Sequence, residues 1–204
     1  MKVKESFLSS RECYVINNGI DINQFKPTES NLKEKYNIIG KKIILGVATP
    51  WSRRKGFNDF LKLSKILDED FVIVMIGLNK NQIDLLNENM IGIEKTDNVL
   101  ELVEWYTVAD VLFNPTYEDN FPTVNMEAIS CNTPVVAYDT GGCKEVITKD
   151  YGTICPQGDI KYSWISIKKW ILKGKLMNGH QYITEHFNKE KIYEKYLDIY
   201  GKFD

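Results

Sequence analysis

Short runs of consecutive apolar residues recur through the first three quarters of the chain and predict buried strands. They are bounded by turn residues such as Asn114-Pro115 and by polar segments of helical periodicity. Such an alternation of strands and helices favours an α/β fold with a parallel sheet. The predicted strands cover residues 43–47, 71–77, 91–93, 111–113 and 134–137.

The segments between these strands predict helices on both faces of a Rossmann-like sheet. Phe57, Phe60, Leu61, Ser64 and Leu67 follow helical spacing, and residues 79–89 form a polar helix in this prediction. Thr96-Asp97-Asn98 is a start signal for a helix over residues 99–109. The last third differs, because residues 159–173 and 181–200 predict an aromatic-rich C-terminal helical extension whose rings are more often core than binding surface.

The stretch from residue 117 to residue 145 combines an acidic turn, a short helix, a buried strand and a Gly-Gly loop. Pro122 occupies the predicted first helical position, where its missing N–H costs nothing. A helix N-terminus that follows a strand at the carboxyl edge of a sheet is a place for an anion, and a phosphate or diphosphate suits it best.

Two carboxylates frame this helix, Asp119 before it and Glu127 within it. Carboxylates accept hydrogen bonds from hydroxyls, so the pair suits a ribose and a sugar. The alternatives are that Asp119 is an N-cap and that Glu127 is a solvated helix residue. Gly141-Gly142, after the next strand, allows close backbone approach to a ligand or makes a plain turn.

This stretch resembles the donor-sugar signature of retaining glycosyltransferases of the GT-B fold, in the group 1 family (family 4). The signature is an acidic residue, seven residues and then Glu, followed by an apolar strand and Gly-Gly. Asp119 and Glu127 fit this spacing, and the variant resembles bacterial enzymes that assemble surface polysaccharides. The family usually has Glu at the first position, and Glu118 stands one residue early, but spacing favours Asp119.

Two further segments carry the resemblance. Residues 15–21, with Phe25 and Pro27, are similar to the strand and NG-[IV]-D-x-x-x-F-x-P motif that opens the family's C-terminal domain. Lys55-Gly56 is similar to the family's diphosphate-binding lysine. The family's usual arginine is absent near Ala48, so Arg53 or Arg54 would take its place. A run of three cations is otherwise more often a solvated surface.

The resemblance implies a set of donor-site roles. Lys55, an arginine and the helix amides would stabilise the departing diphosphate, Glu127 would hold the ribose and Asp119 would orient the sugar. Asn98 and Leu100 lie where the family places the base, although capping of the helix is the more frequent role for residues 96–98. The expected donor-site residues are Arg53, Arg54, Lys55, Asn98, Leu100, Asn120, Phe121, Pro122, Thr123, Val124, Glu127, Gly141 and Gly142, with Asp119, Glu127 and Lys55 as the catalytic group.

Composition narrows the alternatives. The chain has 204 residues, 43% of them hydrophobic, which suits one α/β domain. A net charge of −2 offers no nucleic-acid footprint. We expect no membrane span, no signal peptide and no metal or other cofactor. The four cysteines lack CxxC spacing and are expected near buried strands as reduced thiols of a cytoplasmic protein.

Residues 1–204 are therefore expected to form the nucleotide-sugar-binding C-terminal half of a GT-B enzyme, without its N-terminal acceptor domain. The donor would be a UDP-, GDP- or other nucleoside-diphosphate hexose, transferred with retention of configuration, and the chain alone would transfer little. The partner is the missing domain or a separate chain, through which any contact with the inner face of a membrane would be made. The alternatives are a non-catalytic nucleotide-sugar-binding module and a dinucleotide-dependent Rossmann enzyme, against which stands the lack of G-x-G-x-x-G after a predicted strand.

Overall fold

The computed structural model describes residues 5–201 and shows one six-stranded, fully parallel sheet. Every strand pairing is parallel, and the spatial order of the strands is β3-β2-β1-β4-β5-β6. This order starts from a central strand and builds outward in both directions. The strands are β1 (Lys42–Val47), β2 (Phe71–Ile76), β3 (Met90–Ile93), β4 (Val111–Asn114), β5 (Val135–Tyr138) and β6 (Gly152–Cys155).

Nine helices lie within the described residues. Their bounds are α1 (Leu32–Lys35), α2 (Phe57–Ser64), α3 (Lys80–Ile83), α4 (Val99–Val108), α5 (Thr123–Ser130), α6 (Cys143–Val146), α7 (Ile160–Lys173), α8 (Gly179–His186) and α9 (Lys189–Tyr200). α2 and α7 pack together in one helical layer, whereas α5 packs against α4 and α8 in another. The expected α/β fold with a parallel sheet, helical layers and a C-terminal helical extension is confirmed.

The central strands are apolar throughout because helices cover both faces of the sheet. Ile43, Ile44 and Leu45 of β1 are fully buried, as are Val111 and Leu112 of β4. Gly46 leaves room for the ring of Phe60 from α2, since a Cβ there would lie 2.5 Å from that ring. The apolar runs therefore predicted five of the six strands, β1 to β5, whereas β6 was not among the predicted strands.

The helix predicted over residues 79–89 is wrong in length. Only Lys80–Ile83 is helical, held by a capping box in which Asn79 and Gln82 exchange side-chain hydrogen bonds. Residues 84–89 turn back toward β3, where the side-chain amide of Asn89 donates to the carbonyl of Ser64 at 2.8 Å. A polar segment with few buried side chains has little packing to extend a helix.

The single helix predicted over residues 181–200 is two helices, α8 and α9. The chain breaks at Phe187 and Asn188, where backbone hydrogen bonds link Ile20 to both Phe187 and Lys189. Asn188 then caps α9 by accepting from the amide of Glu190. This contact with the N-terminal segment interrupts the helical ladder. Phe187, Trp164 and Trp170 are buried, whereas Tyr162, Tyr193, Tyr196 and Tyr200 are exposed, so the expectation of aromatic core holds only for part of the set.

Three smaller expectations are also corrected. Residues 15–16 form no strand, and Val15 is exposed, because the segment before Ile20 lacks a neighbouring strand. Pro122 stands just before α5 with extended backbone, rather than in its first turn. Cys131, Cys143 and Cys155 are buried free thiols, but Cys13 is exposed.

The strand order creates a topological switch point between β1 and β4. The connections from these two neighbouring strands leave in opposite directions, so a crevice opens beyond their carboxyl ends. The loop after β1 carries Lys55 and the loop after β4 carries Asp119. Among residues 5–201, no helix combines the length and apolarity needed to cross a bilayer.

Candidate functional site

A cleft of about 680 Å³ opens at this carboxyl edge. The loops that follow β1, β4, β5 and β6 all contribute to it, so residues far apart in sequence meet there. Asn18 joins them from the N-terminal segment. The lining residues are Asn18, Arg54, Lys55, Tyr117, Glu118, Asp119, Asn120, Phe121, Asp139, Thr140, Gly141 and Gln157.

The loop after β1 carries Arg53, Arg54 and Lys55 and forms the basic loop of the site. It reaches the cleft through a tight turn that ends at Gly56. Gly56 has a φ of 77°, a left-handed conformation that favours glycine. A Cβ at this position would lie 2.3 Å from the carbonyl oxygen of Pro115. The glycine therefore lets the loop after β1 press against the loop after β4. This contact sets the position of Lys55 next to the acidic turn, residues 116–120 after β4.

The acidic turn and the basic loop are joined by several hydrogen bonds. Lys55 Nζ lies 2.5 Å from Asp119 Oδ2, and the two side chains are 22% and 17% exposed. Arg54 Nη1 donates to the carbonyl of Glu118 at 3.0 Å, and the amide of Tyr117 donates to the carbonyl of Arg54 at 2.8 Å. Glu118 is exposed. Asp119, rather than Glu118, is thus the carboxylate held against the lysine.

The Gly-Gly loop packs against this same acidic turn. Gly141 has a φ of 45°, and a Cβ there would lie 1.8 Å from the carbonyl oxygen of Asp119. The amide of Gly142 donates to the carbonyl of Asn120 at 2.7 Å, and its Cβ would meet the ring of Phe121 at 2.5 Å. Both glycines are therefore required by backbone packing at the wall of the cleft. Gly141 also lines the cleft itself.

A buried carboxylate behind the cleft anchors the turn from the other side. Asp59 of α2 accepts hydrogen bonds from Tyr117 Oη at 2.7 Å and Tyr138 Oη at 3.2 Å, and it pairs with Lys62 Nζ at 2.9 Å. Burial, reinforced by the nearby Asp59, raises the pKa of Tyr117 to about 12 and that of Tyr138 still further. Both hydroxyls therefore stay protonated and remain donors. This network links α2, the acidic turn and β5.

The N-terminus of α5 opens beside Phe121. Its first amides have no intrahelical acceptor, and Pro122 supplies no capping side chain. Inside the helix, a buried amide pair fixes α5 to the sheet, since Asn114 Nδ2 donates to Asn125 Oδ1 at 2.9 Å. The residues Pro122, Thr123 and Val124 do not themselves line the 680 Å³ cleft, which ends at Phe121.

Glu127 lies one turn further into α5, outside the lining of the cleft. Its Oε2 accepts a hydrogen bond of 2.7 Å from the hydroxyl of Tyr106 in α4. Burial raises the pKa of Glu127, although hydrogen bonds from Tyr106 and Thr123 partly oppose that rise. Glu127 is half-buried, so the solvated alternative for this residue does not describe it.

Three other predicted site residues, Arg53, Asn98 and Leu100, do not line the 680 Å³ cleft. Arg53 lines a neighbouring pocket of about 450 Å³ together with Arg54 and Lys62. Asn98 and Leu100 line a shallow depression of about 190 Å³ near α1. Asn98 Oδ1 accepts from the amide of Glu101 at 3.0 Å, so its observed role is that of a helix cap.

Six residues of the cleft were missing from the sequence-based set: Asn18, Tyr117, Glu118, Asp139, Thr140 and Gln157. Gln157 Nε2 donates to Thr140 Oγ1 at 2.7 Å and to the carbonyls of Tyr117 and Asp139. Its position after β6 is the usable signal, because the carboxyl ends of all parallel strands meet at one edge. Across the described range 5–201, no cluster of three or more His, Cys, Asp or Glu side chains is arranged to hold a metal ion.

The family profile described as "Glycosyl transferases group 1" matches residues 28–186. Among curated proteins, the chain is similar to the capsular polysaccharide biosynthesis glycosyltransferase CapM of Staphylococcus aureus, with 23% identity over 91% of this chain and 53% of that protein. The chain thus spans about half the length of the curated relatives that it matches first.

Solved structures share the fold. Sucrose-phosphate synthase from Thermosynechococcus elongatus superposes with a TM-score of 0.83 at 19% identity, over 99% of this chain and 55% of that one. Anabaena HepE, in complex with UDP-glucose, superposes with a TM-score of 0.81 at 18% identity, over 93% of this chain and 57% of that one. At these identities the likeness concerns the fold.

Proposed function

This chain belongs to the group 1 glycosyl transferases, and we propose that it supplies the donor-binding half of a sugar-transfer reaction. The donor would be a nucleoside-diphosphate hexose, and the sugar would pass to an acceptor with retention of anomeric configuration. The observation that carries the proposal is the Lys55–Asp119 pair, 2.5 Å apart at the topological switch point of the sheet. The ammonium group of Lys55 suits a diphosphate, and the carboxylate of Asp119 suits the hydroxyls of a sugar ring beside it.

Stabilisation of the leaving diphosphate is the step that this half of the enzyme would perform. As the bond between the sugar and the diphosphate breaks, negative charge grows on the diphosphate oxygens. Lys55, Arg54 and the free amides in the first turn of α5 would offset this charge, because fixed donors need no reorganisation. We propose no metal ion in this step.

The sugar and the ribose would be held by carboxylates. Asp119 lies in the cleft and can accept hydrogen bonds from hydroxyls of the hexose. Gln157 and Thr140 also line the cleft and add polar contacts. Glu127 would accept from the ribose with the oxygen that Tyr106 does not occupy. Asn98 and Leu100 would lie toward the base.

A nucleotide panel tests the donor assignment. UDP, GDP, UDP-glucose and NAD are titrated into the chain, with thermal shift and calorimetry as readouts. We expect stabilisation by a nucleoside diphosphate or its sugar. Stabilisation by NAD alone would instead support the dinucleotide enzyme. Donor binding without transfer, even after the acceptor domain is supplied, would support the non-catalytic binding module.

Lys55→Ala should weaken nucleoside-diphosphate binding by about 10- to 100-fold, because a hydrogen bond to a charged group contributes about 1.5–3 kcal/mol. The double variant Lys55→Ala/Asp119→Asn removes the unpaired carboxylate and separates lost binding from lost stability. Lys42→Ala is the matched control, since it breaks the Lys42–Asp110 ion pair at the opposite end of β1. Equal affinity of the Lys55 and Lys42 variants would place the diphosphate elsewhere.

Glu127→Gln tests the ribose contact without altering shape, and the amide oxygen can still accept from Tyr106. Because burial raises the pKa of Glu127 above its value in the unfolded chain, ionisation of this group opposes folding at pH 7. The variant should therefore keep or raise Tm at pH 7, with the difference vanishing below the ordinary carboxyl pKa. Nucleotide affinity should fall about tenfold. Unchanged affinity would remove Glu127 from the donor site.

A further inference from the structure

The exposed face of α7 is basic and apolar at the same time. The helix contains Lys161, Lys168, Lys169 and Lys173, and no Asp or Glu. All four lysines are exposed, and Ile165 and Leu172 between them are 63% and 89% exposed. The opposite side of the helix buries Trp164, Ile167, Trp170 and Ile171 in the domain core.

These lysines carry charge that the rest of the described chain leaves uncompensated. The ion pairs found within residues 5–201 do not include any lysine of α7. Lys168 and Lys173 lie over the rings of Trp164 and Trp170, at 4.8 and 4.2 Å from the ring centroids, contacts that keep the full positive charge. A chain with a net charge of −2 therefore concentrates cations on one helix face.

Tertiary structure extends this face with a groove whose lining is both basic and apolar, since Ile147, Ile154 and Trp170 line it beside the lysines. A pocket of about 410 Å³ next to α7 is lined by Lys169, Lys173 and Lys149, and Lys149 comes from the loop before β6. Thr148 and Thr153 add hydroxyl-bearing side chains to the same groove. Three ammonium groups around one groove suit a phosphate-bearing headgroup better than a neutral ligand.

We propose that the α7 face binds an anionic lipid surface. Lysines would contact headgroup phosphates, and Leu172 and Ile165 would enter the boundary between headgroups and acyl chains. Apolar side chains as exposed as Leu172 favour a bilayer over a nucleic acid, whose backbone rewards cations alone. α7 has 14 residues and so extends about 21 Å, enough for several headgroups.

The orientation has a consequence for the cleft. α7 runs back from the carboxyl edge of the sheet, and its first residue lies three positions after Gln157 of the cleft. A domain lying on a bilayer through α7 would hold the rim of the cleft near the lipid surface. The proposal concerns a face separate from the donor site, so it does not depend on nucleotide binding.

Vesicle flotation tests the proposal with the full chain. Vesicles of phosphatidylcholine with 30% phosphatidylglycerol are compared with pure phosphatidylcholine, at about 0.1 and 0.5 M salt. We expect binding to the anionic vesicles only, with marked loss at high salt. Lys169→Glu/Lys173→Glu should weaken binding more than 20-fold, since each lysine near such a surface contributes about fivefold. Leu172→Ser should weaken it several-fold while the salt dependence stays.

The control variant is Lys191→Glu/Lys195→Glu, which makes the same charge change at the same spacing on exposed positions of α9. It should bind like the wild type. Three outcomes would overturn the proposal: equal binding to neutral vesicles, equal loss in the α7 and α9 variants, and tighter binding to duplex DNA than to anionic vesicles. Circular dichroism of each variant confirms that the fold is retained.

Discussion

At the scale of single residues, the position of the acidic turn depends on two glycines that lie outside the turn, Gly56 and Gly141. Gly141 and Gly56 both have positive φ, and each lies where a Cβ would meet a carbonyl oxygen of the loop after β4. The two glycines come from different loops and hold the turn from two sides. Lys55 and Asp119 can meet at 2.5 Å because these backbones approach so closely.

Gly141→Ala should therefore be costly for two reasons, left-handed strain and a clash with Asp119. We expect a loss of about 2–4 kcal/mol, or roughly 4–16 °C in Tm, together with weaker nucleotide binding. Gly40→Ala is the matched control, because Gly40 has a φ of 82° and no neighbour within 4 Å of its Cβ position. It should lose only about 1 kcal/mol and bind nucleotide normally. Equal Tm and affinity in both variants would show that strain alone, and not contact with the turn, is decisive.

At the scale of elements, α2 positions the acidic turn through a buried charge. Asp59 is the third residue of α2. Its carboxylate accepts hydrogen bonds from the hydroxyls of Tyr117 in the turn and Tyr138 in β5. A buried carboxylate is stable only with several donors, and here two tyrosines and a lysine supply them. The same helix follows directly on Lys55 and Gly56, so one element sets both sides of the ion pair.

Tyr117→Phe removes one donor to Asp59 and leaves the contacts with Tyr138 and Lys62. We expect a loss of about 1 kcal/mol in unfolding free energy. Nucleotide affinity should fall about three- to tenfold, since the turn that carries Asp119 is held less firmly. Tyr162→Phe, at an exposed tyrosine of α7, is the control. Thermal melts and calorimetry measure both effects. Nucleotide affinity unchanged from wild type in Tyr117→Phe would mean that the turn is rigid without this bond.

At the scale of the whole molecule, the chain covers about half of the length of the first curated relatives that it matches. The 680 Å³ cleft lies at the carboxyl edge of the sheet. The exposed aromatic side chains Tyr193, Tyr196 and Tyr200 follow one face of α9. In our proposal an acceptor domain covers this region and supplies the remaining contacts for transfer.

In our proposal a second domain positions the acceptor, so the 204-residue chain alone should bind a nucleotide sugar weakly and transfer little sugar. Release of nucleoside diphosphate from the donor measures this, with and without an acceptor domain supplied as a second chain. We expect at least a 100-fold rise in turnover on addition, from positioning of the reactants. Rapid transfer to an acceptor by the chain alone would contradict a division into two halves.

The sequence by itself determined most strands of the sheet and the spacing of the residues that we propose for the donor site. Apolar runs predicted β1, β2, β4 and β5, because strands buried on both faces leave a signal within a few consecutive residues. The helix start beside Pro122 and the Asp119–Glu127 spacing are equally local. The break between α8 and α9 was missed, because it depends on a contact with Ile20, 168 residues away from Asn188.

Only the tertiary structure decided which of these residues meet. Lys55 and Asp119 are 64 residues apart, and Asp59 and Tyr138 are 79 apart. Neither pair has a periodic signature, since strand order and loop packing bring the partners together. The same holds for Lys149 beside α7, and for Gly141 against Asp119. Local propensity determines helices and strands over a few consecutive residues. The cleft, by contrast, forms where the carboxyl ends of β1, β4, β5 and β6 meet at one edge of the sheet.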